Sequence, residues 1–82
     1  MTKDEMQSIV LDVLGGIVPD ADLGGLDAAR SFRDQFEFDS VDYLNLVLTL
    51  EKRFGIKIPE IECPRLASLD GCIAYLEEKT PA

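Results

Sequence analysis

The sequence predicts an all-α fold: a small bundle of three main helices plus one short helix, with a long loop between helices 1 and 2. Three observations carry the prediction. Apolar residues recur at helical spacing in three separate stretches of the 82-residue chain. Each stretch opens on a Thr, Asp or Ser that suits a helix N-cap. The best strand candidate, Ile56-Lys57-Ile58, is cut off by Pro59 before it is long enough to join a sheet.

Thr2 with Glu5 three residues later fits a capping box, and Met6, Ile9, Val10, Val13, Leu14 and Ile17 follow at helical period. Gly15-Gly16 is a natural stop and Pro19 confirms the break, so helix 1 is expected over about residues 3–15. Residues 16–38 form a long connection in which Leu23 and Leu26 are candidate core anchors. Arg30 to Gln35 suits a short helical turn, with Phe32 and Phe36 facing inward. Helix 2 is expected from about Ser40 to Arg53, with Asp39 as N-cap, Asp42 completing a capping box, and Gly55 as the stop. Leu44, Val47, Leu50 and Phe54 share a face, assigned to the core. Val41 and Leu48 lie beside a polar arc holding Asn45 and Lys52. They either pack under loop 16–38 or form an apolar contact patch for partners. A short turn or helix is expected near residues 60–66, restricted by Pro64. Ser68 caps a last helix over about residues 69–79, with inner face Leu69, Cys72, Ile73 and Leu76. No repeat or low-complexity segment breaks the chain, so residues 1–82 are expected to form one domain.

Sixteen acidic and 8 basic residues give a net charge of −8. Such a surface repels phosphate backbones and anionic membranes, so neither nucleic acid nor membrane is an expected partner. It attracts proteins with basic patches. No apolar stretch is long enough to cross a membrane, and the first residues do not read as a secretory signal, which points to the cytosol. Cys63 and Cys72 are then expected as reduced thiols, and two Cys with no His are too few to ligate zinc. Asp20-x-Asp22-x-Gly24-Gly25 faintly resembles a calcium loop. Gly24 and Ser31 stand where it needs ligands, so an ordinary acidic turn is expected.

The candidate functional residue is Ser40, in Asp39-Ser40-Val41-Asp42 at the opening of helix 2. The chain has no histidine to activate its hydroxyl, so an autonomous serine hydrolase is excluded. The same position suits modification by another enzyme, because free N–H groups and the dipole at a helix start favour a phosphate ester. Asp-Ser before a helix is also a common ordinary cap, so the dipeptide alone decides little.

Its surroundings decide more. Phe32, then Phe36-Glu37-Phe38-Asp39-Ser40-Val41, then Leu50-Glu51-Lys52-Arg53-Phe54-Gly55-Ile56-Lys57-Ile58-Pro59 resembles the attachment segment and following helix of acyl carrier proteins. Ser68-Leu69-Asp70 and Ile73-Ala74-Tyr75-Leu76 resemble that family's closing segment, so the resemblance spans nearly the whole chain. It implies a 4′-phosphopantetheine arm joined to Ser40 through a phosphodiester, with Asp39 as motif residue and helix cap. It implies a monomeric carrier, not an enzyme, that holds acyl groups as thioesters for fatty-acid, lipid or polyketide biosynthesis. The implied partners are a phosphopantetheinyl transferase and acyl-loading and acyl-processing enzymes with basic patches, met by Glu37, Val41, Asp42, Asn45 and Leu48. An acyl chain is expected to shelter among Leu44, Val47, Leu50, Ile61 and Leu66. The alternatives are an aminoacyl or peptidyl carrier, and an unmodified helical adaptor.

The chain departs from the family pattern at Val41, where Leu is usual, and at Glu37, where Gly is usual. Asn45, Lys52 and Arg53 stand where acids are frequent, and Pro64 falls in the family's short third helix. These departures point to a specialised pathway.

Overall fold

Three side-chain caps set where the helices begin in the computed structural model, which describes residues 1–80. Helix α1 is Lys3–Ile17, α2 is Ser40–Phe54 and α3 is Leu69–Lys79. At α1 the Thr2 hydroxyl accepts from the Glu5 N–H (3.1 Å) and the Glu5 carboxylate accepts from the Thr2 N–H (2.9 Å). At α2 Asp39 accepts from the Asp42 N–H (2.9 Å) and Asp42 accepts from the Asp39 N–H (3.2 Å). At α3 the Ser68 hydroxyl accepts from the Gly71 N–H (3.0 Å). Caps of this kind are each worth about 0.5–2 kcal/mol. α2 ends as expected at Gly55, whose φ of 64° is left-handed and suits glycine.

α1 does not stop at Gly15-Gly16 but runs through both to Ile17. Two helical glycines cost roughly 0.5–1 kcal/mol each. Val13 and Leu14 are buried before the glycines; the extra turn adds Ile17, half-buried against the core, a gain of the same order as the glycine cost. The helix ends where Pro19 disfavours helical backbone at Val18.

The connection to α2 is held by side chains rather than by regular structure. It contains two short 3₁₀ turns, Leu23–Gly25 and Phe32–Asp34. Asp22 accepts from the Gly24 N–H (3.1 Å), the ordinary acidic turn expected there. The Gln35 amide donates to the carbonyls of Asp27 (2.8 Å) and Arg30 (2.9 Å) and accepts from the Asp27 N–H (2.7 Å). Two backbone bonds tie the loop to the start of α3: Phe32 N–H to Ala67 (2.8 Å) and Asp70 N–H to Ala28 (3.0 Å). An isolated bridge pairs Ser31 with Ser68, and among the described residues there is no strand.

α1 packs on both α2 and α3 around a core in which Val10, Leu14, Phe32, Leu46, Leu50, Leu66, Cys72, Tyr75 and Leu76 are fully buried. The inner face of α3 is the expected one, with Tyr75 added. The face of α2 needs a correction. Leu44, assigned to the core, is 55 % exposed, while Leu46 is fully buried. The core stripe is Tyr43, Leu46, Val47, Leu50 and Phe54. A second apolar stripe on the same helix, Val41, Leu44 and Leu48, faces solvent.

The segment after α2 is pinned to it twice. Glu51 accepts from the Ile58 N–H (2.7 Å), and the Tyr43 hydroxyl donates to the Cys63 carbonyl (2.6 Å). Glu60–Leu66 is a 3₁₀ helix containing Pro64, and Tyr75 donates to Glu62 (2.9 Å) to hold it against α3. Cys63 and Cys72 are free thiols. No described helix is long and apolar enough to cross a membrane.

Two outcomes are expected from this packing. A Cβ on Gly71 would collide with the Arg65 carbonyl oxygen, so Gly71→Ala should lower the urea-unfolding free energy by about 1–3 kcal/mol, as overpacking does; an unchanged midpoint would contradict the close approach. Burial pushes the Tyr43 hydroxyl up to about 12, and burial together with the bond to Glu62 does the same for Tyr75. A group that ionises later folded than unfolded contributes stability below its unfolded pKa and loses it as pH rises. Burial also pushes the Cys72 thiol up from 9.0 to about 12, so stability should fall from about pH 9 to about 12, and Tyr43→Phe should flatten the part of that fall above pH 10 in denaturation curves taken across the range.

Candidate functional site

The start of α2 is positioned by aromatic packing. The Phe32 ring lies 6.0 Å from that of Phe36 and 5.6 Å from that of Phe38, and Phe38 lies 5.8 Å from Tyr43. Phe38 is buried, while Asp39 and Ser40 immediately after it are exposed. The chain thus turns outward within two residues and enters the helix under the Asp39 cap. Because Asp39 satisfies the first-turn N–H of Asp42, the Ser40 hydroxyl has no capping duty.

Ser40 opens on a groove of about 460 Å³ lined by Arg33, Asp39, Ser40, Tyr43, Leu44, Val47 and Cys63. Its lining combines the polar residues Arg33, Asp39 and Ser40 with Tyr43, two aliphatic side chains and Cys63. Burial, with Glu60 and Glu51 adding to it, pushes the Cys63 thiol up, which keeps it protonated and a weak nucleophile. A neighbouring depression is lined by Arg33, Glu37, Phe38, Asp39 and Asp42, so Arg33 borders both.

The other sequence-predicted residues divide by what they touch. Val41 is 63 % and Leu48 is 45 % exposed, so neither packs under the loop. Asn45 and Glu37 are exposed as well. Asp42 is half-buried, with one carboxylate oxygen in the capping box. The expected acyl shelter does not form from the residues named for it. Ile61 is 88 % exposed, Leu50 and Leu66 are sealed in the core, and only Leu44 and Val47 line the groove. Further along α2, Arg53 pairs with Asp12 on α1 (3.5 Å).

Arg33, Tyr43 and Cys63 belong to the groove and were not among the candidates from sequence. Tyr43 had a readable signal, because it lies three residues after Ser40 on the same helical face. Arg33 follows the motif residue Phe32 but carries no pattern of its own. Cys63 is brought in only by the tertiary bond between its carbonyl and Tyr43.

An exposed hydroxyl in the first turn of a helix, beside an open groove, fits covalent attachment of a long flexible arm. The arm's phosphate would sit at the positive end of the helix, with its chain free to lie along the groove or leave it. The family model described as "Phosphopantetheine attachment site" matches residues 4–73. An acyl carrier protein of Exiguobacterium sp. is 31% identical over 96% of this chain and 99% of its own length. One of Rubrobacter xylanophilus is 31% identical over 95% of this chain and 90% of its own. One of Chlamydia muridarum is 29% identical over 94% of each. With a family match over most of its length and relatives this similar from end to end, the chain belongs to the acyl carrier protein family, whose covalent cofactor is 4′-phosphopantetheine.

Proposed function

We propose that Ser40 carries the arm, and that the chain presents acyl thioesters to partner enzymes of fatty-acid, lipid or polyketide biosynthesis. The observation that carries this reading is the freedom of the Ser40 hydroxyl, exposed at the helix start while Asp39 does the capping. The arm supplies the chemistry, a terminal thiol that holds an acyl group as a thioester. The chain supplies an attachment point, a rigid helix start and a surface. It is a monomeric carrier rather than a catalyst, with no histidine in the chain to activate its serine, and the cytosol is the compartment this reading implies.

The docking face is the exposed stripe Val41, Leu44 and Leu48 with Asn45, bordered by Glu37, Asp39 and Asp42. An apolar centre with a charged rim suits contacts between proteins. The acids call for a basic patch on the modifying transferase and on acyl-processing partners. At the far end of α2 the sign changes, with Lys52 and Lys57 beside a shallow hollow that also includes Leu48. A partner built for a uniformly acidic helix meets like charge there, which supports a specialised role.

Ser40→Ala, incubated with coenzyme A and a broad-specificity phosphopantetheinyl transferase, should gain no mass, while the unchanged chain gains one arm. The variant should keep its helical circular dichroism, because the cap is Asp39. Labelling of the variant would move the site elsewhere, and failure of the unchanged chain to be labelled would leave the adaptor reading. Loading of the modified protein with acyl and with aminoacyl groups by matched enzymes then separates the two carrier classes.

Lys52→Glu, which leaves the Arg53–Asp12 pair intact, should speed acyl loading by housekeeping fatty-acid enzymes roughly 1.4- to 5-fold at low salt. That range is what about 0.2–1 kcal/mol for one exposed charge contact gives. The gain should shrink as salt rises. Equal rates at every salt concentration would make Lys52 an ordinary solvated residue and remove the argument for specialisation.

A further inference from the structure

We propose that Arg33 binds the phosphodiester formed at Ser40 and turns the arm inward along the groove instead of out into solvent. The proposal rests on Ser40 being the attachment point. A phosphodiester there adds a negative charge to a site that already holds Asp39 and Asp42, with Asp34 and Glu37 nearby in sequence. The capping box takes up the Asp42 N–H and sets two carboxylates at the helix start, so the remaining first-turn N–H groups, those of Ser40 and Val41, are a weakened counterweight by themselves. The cation lining the same groove as Ser40 is Arg33.

Two features suit Arg33 to this task. Its backbone is fixed, because Phe32 before it is fully buried and donates its N–H to the Ala67 carbonyl (2.8 Å). Its side chain is exposed and uncommitted. The ion pairs among the described residues are made by Lys3, Arg53, Arg65 and Lys79, and Arg33 makes none despite the acids around it. Arg30, by contrast, donates to the Asp34 carbonyl (3.2 Å). A guanidinium fork matches two phosphate oxygens better than a point charge does. Held at its phosphate end, the arm has Tyr43, Leu44 and Val47 as its nearest wall. A partner's basic patch then competes for the same phosphate, which makes release of the arm part of docking.

The test uses purified, fully modified protein with a bare arm (unchanged, Arg33→Gln and Arg33→Lys), alongside unchanged protein without the arm and unchanged protein loaded with a carboxylate-bearing acyl group. The measurements are the phosphorus chemical shift, the Arg33 guanidinium proton signals, and nuclear Overhauser contacts from the arm's geminal methyls. In the unchanged protein, modification should shift the Arg33 signals and give methyl contacts to Tyr43, Leu44 and Val47. Those contacts should vanish in Arg33→Gln, persist weakened in Arg33→Lys, and fade at about 1 M salt, where the Debye length is about 3 Å. If Ser40 is modified but contacts and phosphorus shift are the same in Arg33→Gln, the Arg33 proposal falls and the Ser40 reading stands. Arg33 signals that move only when a carboxylate-bearing acyl group is loaded would assign the anion to the cargo and overturn it too. The comparison of unmodified and modified unchanged protein is independent of how either variant folds. If the unchanged protein takes no arm at all, both readings fall.

Discussion

Phe38 is buried, and two residues later Ser40 is exposed. That turn, made by burying one aromatic ring against Phe32, Phe36 and Tyr43, is the constraint on which the site depends. It joins a loop with little regular structure to the first turn of α2. The Phe32 end of the same cluster is bonded to Ala67, so the aromatic packing also couples the site to the start of α3. The Asp39–Asp42 box completes the turn by fixing where the helix begins. The exposed position of Ser40 needs both. Without the packed ring its position would wander, and without a separate cap its hydroxyl would be drawn onto the backbone.

α2 carries two apolar stripes with different work. Tyr43, Leu46, Val47, Leu50 and Phe54 face the core, and Val41, Leu44 and Leu48 face solvent. Val47 and Leu44 also line the groove, so it lies where the two faces meet. Core, groove and outer surface are thus successive sectors of one helix.

Charge is distributed with a similar economy. The Asp42 and Glu51 carboxylates both accept backbone N–H groups, from Asp39 and Ile58. Arg53 and Asp12 bridge α2 to α1 in an exposed pair of the kind worth about 0–1 kcal/mol. The charges left for partners are therefore fewer than the composition suggests. They separate into an acidic end near Ser40 and a basic end near Lys52 and Lys57.

The sequence by itself determined the all-α class, the order of the helices, all three N-caps, the Gly55 stop, the inner face of α3, and Ser40 as the residue to examine. These are local properties: caps act over three residues, helical period over four, and a left-handed stop at one. The end of α1 was misread because two glycines signal a stop locally, while the packing of Ile17 against the core is a tertiary contact. The face of α2 was misread because two apolar stripes share one helix, and periodicity does not say which one meets α1. Only the tertiary structure decided that Arg33 and Cys63 border Ser40 and that Ile61 does not. Residues seven and twenty-three positions from the serine meet it through the aromatic cluster and the Tyr43–Cys63 bond. Arg33 and Cys63 lie on different elements from Ser40, so no helical period relates them to it, and the walls of the groove are set by packing.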